Sequence, residues 1–314
     1  MKARAYFLRF KSPVTRLPRA PALFGQLVWA ERWFLGASGV RHLLEAFAEG
    51  SPPFLLSSAF PVARRGSERL PLLPRPKLPP VLEKDSRKRK ALKRIRYLTF
   101  ELFQQVAEGG EERLAELLED DAQALVEGAL VPRGSRLRMV SEARTRVGID
   151  RVAGTHAPGV LFSETALRLE EAVVYATFLP GEYGPEWFEA RLREVGRQGF
   201  GGKKSIGYGA FEVEDHGELE LPEASGATAY TLLAPALPTD GEGWYAVEPY
   251  WGRLGEHYTL AQNPFKRVHY RAVEGSTFKT LPSGVLLEVT PEPPPEEGVQ
   301  IYEYLYPFAL GVRA

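Results

Sequence analysis

Residues 199–209, Gly-Phe-Gly-Gly-Lys-Lys-Ser-Ile-Gly-Tyr-Gly, put five glycines into eleven positions directly before a strand-like segment, Ala210–Val213. Backbone that rich in glycine is free to take left-handed φ and lets a ligand approach its N–H groups closely. Lys203, Lys204 and Ser205 lie among those amides. Cations and a hydroxyl beside a run of amides bind phosphate oxygens. The competing reading is a flexible hairpin with solvated lysines. Two familiar phosphate motifs are excluded by spacing. A Walker loop requires Gly-Lys before its Ser or Thr, whereas Lys203-Lys204 precedes Ser205. A dinucleotide fingerprint requires a third glycine where Gly199-x-Gly201 meets Lys204 and Gly207-x-Gly209 meets Glu212. Both motifs also run from strand into helix. Here the order is reversed, because a helix is predicted over Pro185–Arg197 with Trp187, Phe188, Leu192 and Val195 as its apolar stripe.

The rest of the chain alternates strand and helix signals. Ala3–Phe10 reads as a strand and is followed by a basic, Pro-punctuated loop, Lys11–Pro21. Helices are predicted over Ala22–Phe34 and Val40–Glu49, the second stopped by Ser51-Pro52-Pro53. Phe54–Phe60 reads as a short buried segment. Residues 61–83 hold six prolines and little periodic pattern, and are expected to be irregular. Lys84–Arg96, with eight Lys/Arg and one acid, runs into the apolar-periodic Ile95–Val106, and Glu111–Leu125 reads as a helix of opposite charge. Residues 62–132 are therefore expected to be an insertion, a Pro-rich arm and a helical pair. Leu137–Asp150 and Ala166–Leu179 read as strands, the second with the β-branched and aromatic content of a buried one. From about Gly217 short β-rich segments alternate with Pro/Gly/Asp turns, without a strong amphipathic helix.

At 314 residues, 44% hydrophobic and 25% charged, the chain has room for two domains. It has no cysteine, so disulfides and Cys-ligated metal sites are excluded. No apolar run is long enough for a membrane helix, and Met1–Phe10 lacks the apolar stretch of a signal peptide. A cytoplasmic location is expected. The net charge of zero hides a segregation: residues 1–107 carry 21 Lys/Arg against 7 Asp/Glu, and residues 108–314 carry 19 against 33. A basic half suits a polyanion. An acidic half suits a basic protein neighbour or solubility.

The glycine loop resembles the signature loop of the RAMP superfamily of CRISPR proteins. Four further stretches narrow the resemblance: Ala22-Leu23-Phe24-Gly25-Gln26-Leu27-Val28-Trp29-Ala30, Phe54-Leu55-Leu56-Ser57-Ser58-Ala59-Phe60-Pro61, Arg144-Thr145-Arg146-Val147-Gly148-Ile149-Asp150-Arg151 and Tyr306-Pro307-Phe308-Ala309-Leu310-Gly311. Together they are similar to the subunit of type III-A (Csm) effector complexes that holds the 5′ handle of CRISPR RNA (crRNA) and docks onto the large cyclase/nuclease subunit. The resemblance implies an α+β chain of two ferredoxin-like (RRM-like) domains. Residues 1–216 would carry the glycine loop and the insertion at 62–132, and residues 217–314 would be a helix-poor, degenerate copy. The implied partners are the crRNA 5′ handle, the large subunit and the adjacent backbone RAMP subunit, with no membrane, metal or cofactor.

The resemblance also implies site residues. The amides of Gly199, Gly201, Gly202 and Gly209, with Lys203, Lys204 and Ser205, would grip phosphates, flanked by Arg144, Arg146 and Arg151. Arg144 and Arg146 are two apart in a strand and so share a face; otherwise they form a charged outer face paired with Glu142 and Asp150. Lys11, Arg16 and Arg19 lie in the loop after the first strand, which in RAMP folds is near the glycine loop. Tyr208 either stacks on a base or packs in the core. The basic segment at 84–96 either faces solvent beside its acidic neighbour or touches RNA or a partner. The five histidines show no metal-ligand spacing. His42 is the nearest match to the catalytic histidine of RAMP enzymes that cut crRNA precursors, yet it sits in the second predicted helix. The implied role is therefore structural. A metal-independent crRNA-maturing RNase and the equivalent subunit of a Cmr-type complex are the alternatives.

Overall fold

A computed structural model describes residues 1–48, 51–80, 86–150, 155–239 and 241–314, with the backbone alone at 146–150 and 155–162. Strand β1 (Lys2–Phe10) enters first, and its alternate and consecutive apolar residues are nearly all buried. Helix α1 (Ala20–Ala48) follows, broken into two limbs at Gly36, whose φ of 71° is left-handed. Two predicted helices thus form one broken rod. Short strand β2 (Phe54–Leu56) comes next, then a hairpin of β3 (Phe60–Arg65) and β4 (Glu68–Pro74).

That hairpin corrects the irregular segment expected from 61. Pro61 and Pro74 sit at or near strand ends, where a missing N–H is tolerated, and a left-handed glycine, Gly66, turns the chain between them. Helix α2 (Ser86–Arg94), strand β5 (Tyr97–Thr99) and helix α3 (Phe100–Glu119) follow. The predicted helix over 111–125 stops at Glu119, where Asp120 caps it in extended conformation, and a hairpin of β6 (Gln123–Val126) and β7 (Ala129–Pro132) takes over. Strands β8 (Met139–Asp150) and β9 (Thr155–Leu169) form a separate two-stranded ribbon. The strand predicted over 166–179 divides at Glu170 between β9 and β10 (Glu171–Phe178). Helix α4 (Pro185–Gln198) and strand β11 (Phe211–Glu220) complete this part.

The main sheet has the order β11-β1-β10-β3-β4-β5-β7-β6, with β2 also paired to β10. Residues 60–74, 97–99 and 123–132 are not a detached arm; they extend the sheet beyond β10. Residues 172–176 of β10 are wholly buried, as its central position requires. Helix α4 buries the predicted stripe of Trp187, Phe188, Leu192 and Val195. The two helices are pinned by one buried carboxylate, Glu31 on α1, which accepts from Trp187 Nε1 (3.1 Å) and Arg191 Nε (2.7 Å) on α4.

The C-terminal part contains β12 (Ala229–Leu232), β13 (Gly243–Trp244), β14 (Val247–Tyr250), β15 (His269–Ala272), β16 (Thr277–Phe278), β17 (Leu286–Glu288), β18 (Tyr302–Tyr304) and β19 (Ala309–Val312). A four-stranded sheet, β13-β16-β12-β19, and two hairpins account for them. Tyr304 stacks on Phe24 of α1 at 4.9 Å, and Tyr306 donates to the Phe47 carbonyl at 2.9 Å. One hydrophobic cluster runs from Ala3 to Val312. Strand β11 passes through the division expected at 216/217 and ends at Glu220. Among the described residues no helix is long and apolar enough to cross a membrane.

Candidate nucleic-acid interface

Helix α4 ends where Gly199 takes a φ of 85°. Phe200 is buried, and its N–H donates to Gly209 O at 2.9 Å, closing the loop at its base. A Cβ on Gly199 would stand 2.5 Å from Tyr208 O, and one on Gly209 would stand 2.1 Å from Phe200 O. Those two glycines are therefore demanded by the loop's own packing. Gly201 carries a left-handed φ and lies beside Thr15. Gly202 differs from all of these: its φ is not left-handed, and a Cβ there would meet nothing within 4 Å. Among the described residues, Gly201, Gly202 and Lys203 donate no backbone hydrogen bond. Three successive amides are thus uncommitted on the crest of the loop.

The loop after β1 braces this structure. Gly209 N donates to Pro13 O (2.8 Å), Lys11 N to Ala210 O (2.8 Å), and Ala210 N to Ser12 Oγ (2.9 Å). The ribbon supplies the opposite wall, bridged to the same loop through Val14 and Leu167.

Side chains around the crest are held by carboxylates. Lys203 Nζ donates to Glu164 Oε2 of β9, and the Tyr208 hydroxyl donates to Glu164 Oε1 at 2.7 Å. Tyr208 is 3% exposed, so its ring packs and offers no face to a stacked base. Arg144 of β8 lies over that ring at 5.8 Å and pairs with Glu142 at 3.4 Å. The Glu142 carboxyl is held below the usual range first by the hydrogen bond from Arg168 and then by Arg144. Lys204 donates to Glu256 Oε1 and stands 5.5 Å above the Trp33 ring. Ser205 is exposed on the crest. Lys11 pairs with Glu212 at 2.9 Å, and Arg16 is exposed. Arg19 points inward instead, onto Glu274 and Glu248, with burial opposing and both carboxylates favouring its charge. Arg151 and the Arg146 side chain lie outside the described residues.

Sequence reading missed Glu164 and Glu256, the partners of the two lysines, and the aromatic pair Trp33 and Phe34. The latter are 40% and 51% exposed just before the break in α1, with Arg191 stacked 4.7 Å from Phe34. Their position in an apolar-periodic helix signals core packing, and only the fold brings Trp33 beside Lys204. Cations, amides and an exposed ring brought together suit a single-stranded nucleic acid. His42 lies elsewhere, exposed and 3.6 Å from Glu182. Among the described residues no group of three or more His, Asp or Glu side chains could hold a metal ion.

No protein-family model matches the chain. It is 31% identical over 240 residues to "CRISPR system Cms protein Csm4" of Thermococcus onnurineus (strain NA1), covering 73% of each chain. Its fold is similar to a chain of the Csm1–Csm4 cassette crystallised with cA4, with a TM-score of 0.61 and 23% identity over 100% of this chain and 98% of that one. It is also similar to a chain of the Csm3–Csm4 subcomplex of the type III-A CRISPR-Cas interference complex, with a TM-score of 0.63 and 15% identity over 99% and 100%. The relative's identity and coverage, together with the glycine loop seated between α4 and β11, establish that the chain belongs to the Csm4 family of CRISPR-system proteins.

Proposed function

We propose that this chain is the structural subunit of a type III-A effector that holds the 5′ handle of crRNA and anchors the large cyclase/nuclease subunit. The observation that carries the proposal is the run of uncommitted amides at Gly201, Gly202 and Lys203, flanked by Lys204, Ser205 and Arg144. Uncommitted amides beside cations match the phosphates of a single strand without reading its bases. Gly199 and Gly209 shape that surface, and Lys11 and Arg16 belong to the same reading as cations of the loop that braces it. Arg146 and Arg151 belong to the same reading through the resemblance of their stretch.

The order β11-β1-β10-β2, crossed by α1 and α4, supports a ferredoxin-like unit in residues 1–216. The helix-poor strands of 217–314 support a degenerate second one. The relatives named as Csm1–Csm4 and Csm3–Csm4 assemblies support the large subunit and the adjacent backbone subunit as neighbours. The role is non-catalytic: His42, the nearest candidate for acid–base work, pairs with Glu182 and packs against Tyr183 instead.

Reconstituting the complex with guide RNA tests this reading. The chain should bind handle-containing RNA with a strong salt dependence, retain both protein neighbours in pull-downs, and leave repeat-containing precursor uncut. Specific cleavage that disappears in His42→Ala would favour the RNase alternative.

A further inference from the structure

On the other side of the β1–α1 loop, a cavity of about 770 Å³ opens between that loop, β4 and α2. Its floor is apolar, formed by Leu17, Phe60, Leu78, Leu92, Ile95 and Tyr97. Its lining holds seven Arg or Lys residues against two Glu, and both acids are already neutralised. Arg75 grips Glu111 with contacts of 2.5 and 2.7 Å, and Arg19 grips Glu274 with contacts of 2.8 and 2.6 Å. The surplus charge stands at the rim. Among the described residues no carboxylate lies within ion-pair distance of Arg16, Arg89 or Lys93, which differ in this from the lysines of the glycine loop.

We propose that this cavity is a nucleotide-binding site, its floor taking a base and ribose and its rim cations, Arg16, Arg89 and Lys93, taking the phosphate. The volume falls in the range of small-molecule and cofactor sites. An apolar and aromatic floor under a cationic rim fits a flat ring joined to a dianion better than it fits an acidic peptide, whose charges recur along its length. Arginine and lysine are the phosphate-recognising residues. Lys77, also in the lining, has its ammonium pKa lowered chiefly by burial; an anion alongside would offset that penalty. The nucleotide has two possible sources. It is free in solution, or it belongs to a strand whose neighbouring phosphates lie on the glycine loop, since Thr15 borders Gly201 and the next residue, Arg16, lines the cavity. The cavity's chemistry does not depend on what the glycine loop holds.

The test is calorimetric titration of the full chain with AMP, with ATP and with a single-stranded oligoribonucleotide of the handle sequence. The wild type is compared with Arg89→Ala/Lys93→Ala, whose side chains are exposed on α2, and with Gly202→Val. Losing two phosphate contacts should weaken binding by roughly tenfold at moderate salt. A loss with AMP or ATP identifies a free nucleotide as the occupant; a loss with RNA alone identifies a nucleotide within a strand. Equal binding by wild type and the α2 variant for every ligand overturns the proposal. Loss of a protein neighbour in pull-downs with nucleotide binding unchanged also overturns it, in favour of an acidic protein surface. RNA binding impaired by Gly202→Val, with no ligand's binding changed by the α2 variant, removes the cavity and leaves the handle-binding reading intact. AMP binding impaired by the α2 variant, with RNA binding indifferent to Gly202→Val, does the reverse.

Discussion

Arg144 and Glu164 face each other across the β8–β9 ladder and reach the same group. Arg144 Nη1 lies 3.4 Å from the Tyr208 hydroxyl, which donates to Glu164 at 2.7 Å. Through this contact the ribbon holds the glycine loop in place. Tyr208→Phe deletes the donor to a buried carboxylate and should destabilise the chain by about 1–2 kcal/mol. Urea denaturation checks this, and an unchanged midpoint would show that the contact does not hold the loop.

Lys203 occupies the other oxygen of Glu164, so its charge is partly spent inside the protein. Lys203→Ala should lower stability by about 1–3 kcal/mol by leaving a buried carboxylate short of a partner, and the further change Glu164→Gln should restore much of that loss. In the stabilised double variant, the salt slope of RNA binding should still fall by about 0.7 if Lys203 also meets a phosphate. A slope equal to wild type would assign Lys203 to the fold alone.

Glu31 pins α1 to α4 through Trp187 and Arg191. Glu31→Ala leaves the Arg191 guanidinium, which is mostly buried, without its carboxylate. The expected loss is roughly 3–5 kcal/mol, visible as a lower thermal midpoint. A loss below about 1 kcal/mol, the range of exposed pairs, would contradict the pinning role.

His269 supplies a pH dependence. Burial lowers its pKa, and Nε2 is enclosed without a hydrogen-bond partner among the described residues. The unfolded chain therefore binds the proton more readily than the folded one. Its contribution is fully present above the unfolded value of about 6.5 and is lost as pH falls through that value towards the lower folded one. Denaturation midpoints measured across this window should decline less steeply for His269→Gln. An identical decline would assign the effect to other groups.

Much of the fold was legible because hydrophobic periodicity is local. The stripe of α4 and the apolar run of β10 identify themselves, and glycine spacing located the loop. The β3–β4 hairpin was not legible, since Pro61, Pro71 and Pro74 interrupt the alternation that marks a strand while the tertiary sheet tolerates them. Strand β6 was hidden by Leu125 and Val126, which continue the apolar pattern of α3. The partners of the lysines were invisible for another reason. Glu164 and Glu256 are distant in sequence, and no local pattern distinguishes them from surface carboxylates. Trp33 was not singled out, because an exposed aromatic on a helix looks the same as a buried one until the break at Gly36 is known.

Gly202 gives the most direct measurement of whether the loop's amides hold RNA phosphates. A Cβ there meets nothing within 4 Å and φ is not left-handed, so Gly202→Val should fold with an unchanged thermal midpoint and removes no charge. Its side chain would nevertheless stand over the uncommitted amides of Gly201, Gly202 and Lys203. Affinity for handle RNA, measured at fixed salt, should fall by at least about tenfold, the equivalent of roughly 1.4 kcal/mol. A folded Gly202→Val variant that binds handle RNA as tightly as wild type would show that these amides do not hold its phosphates.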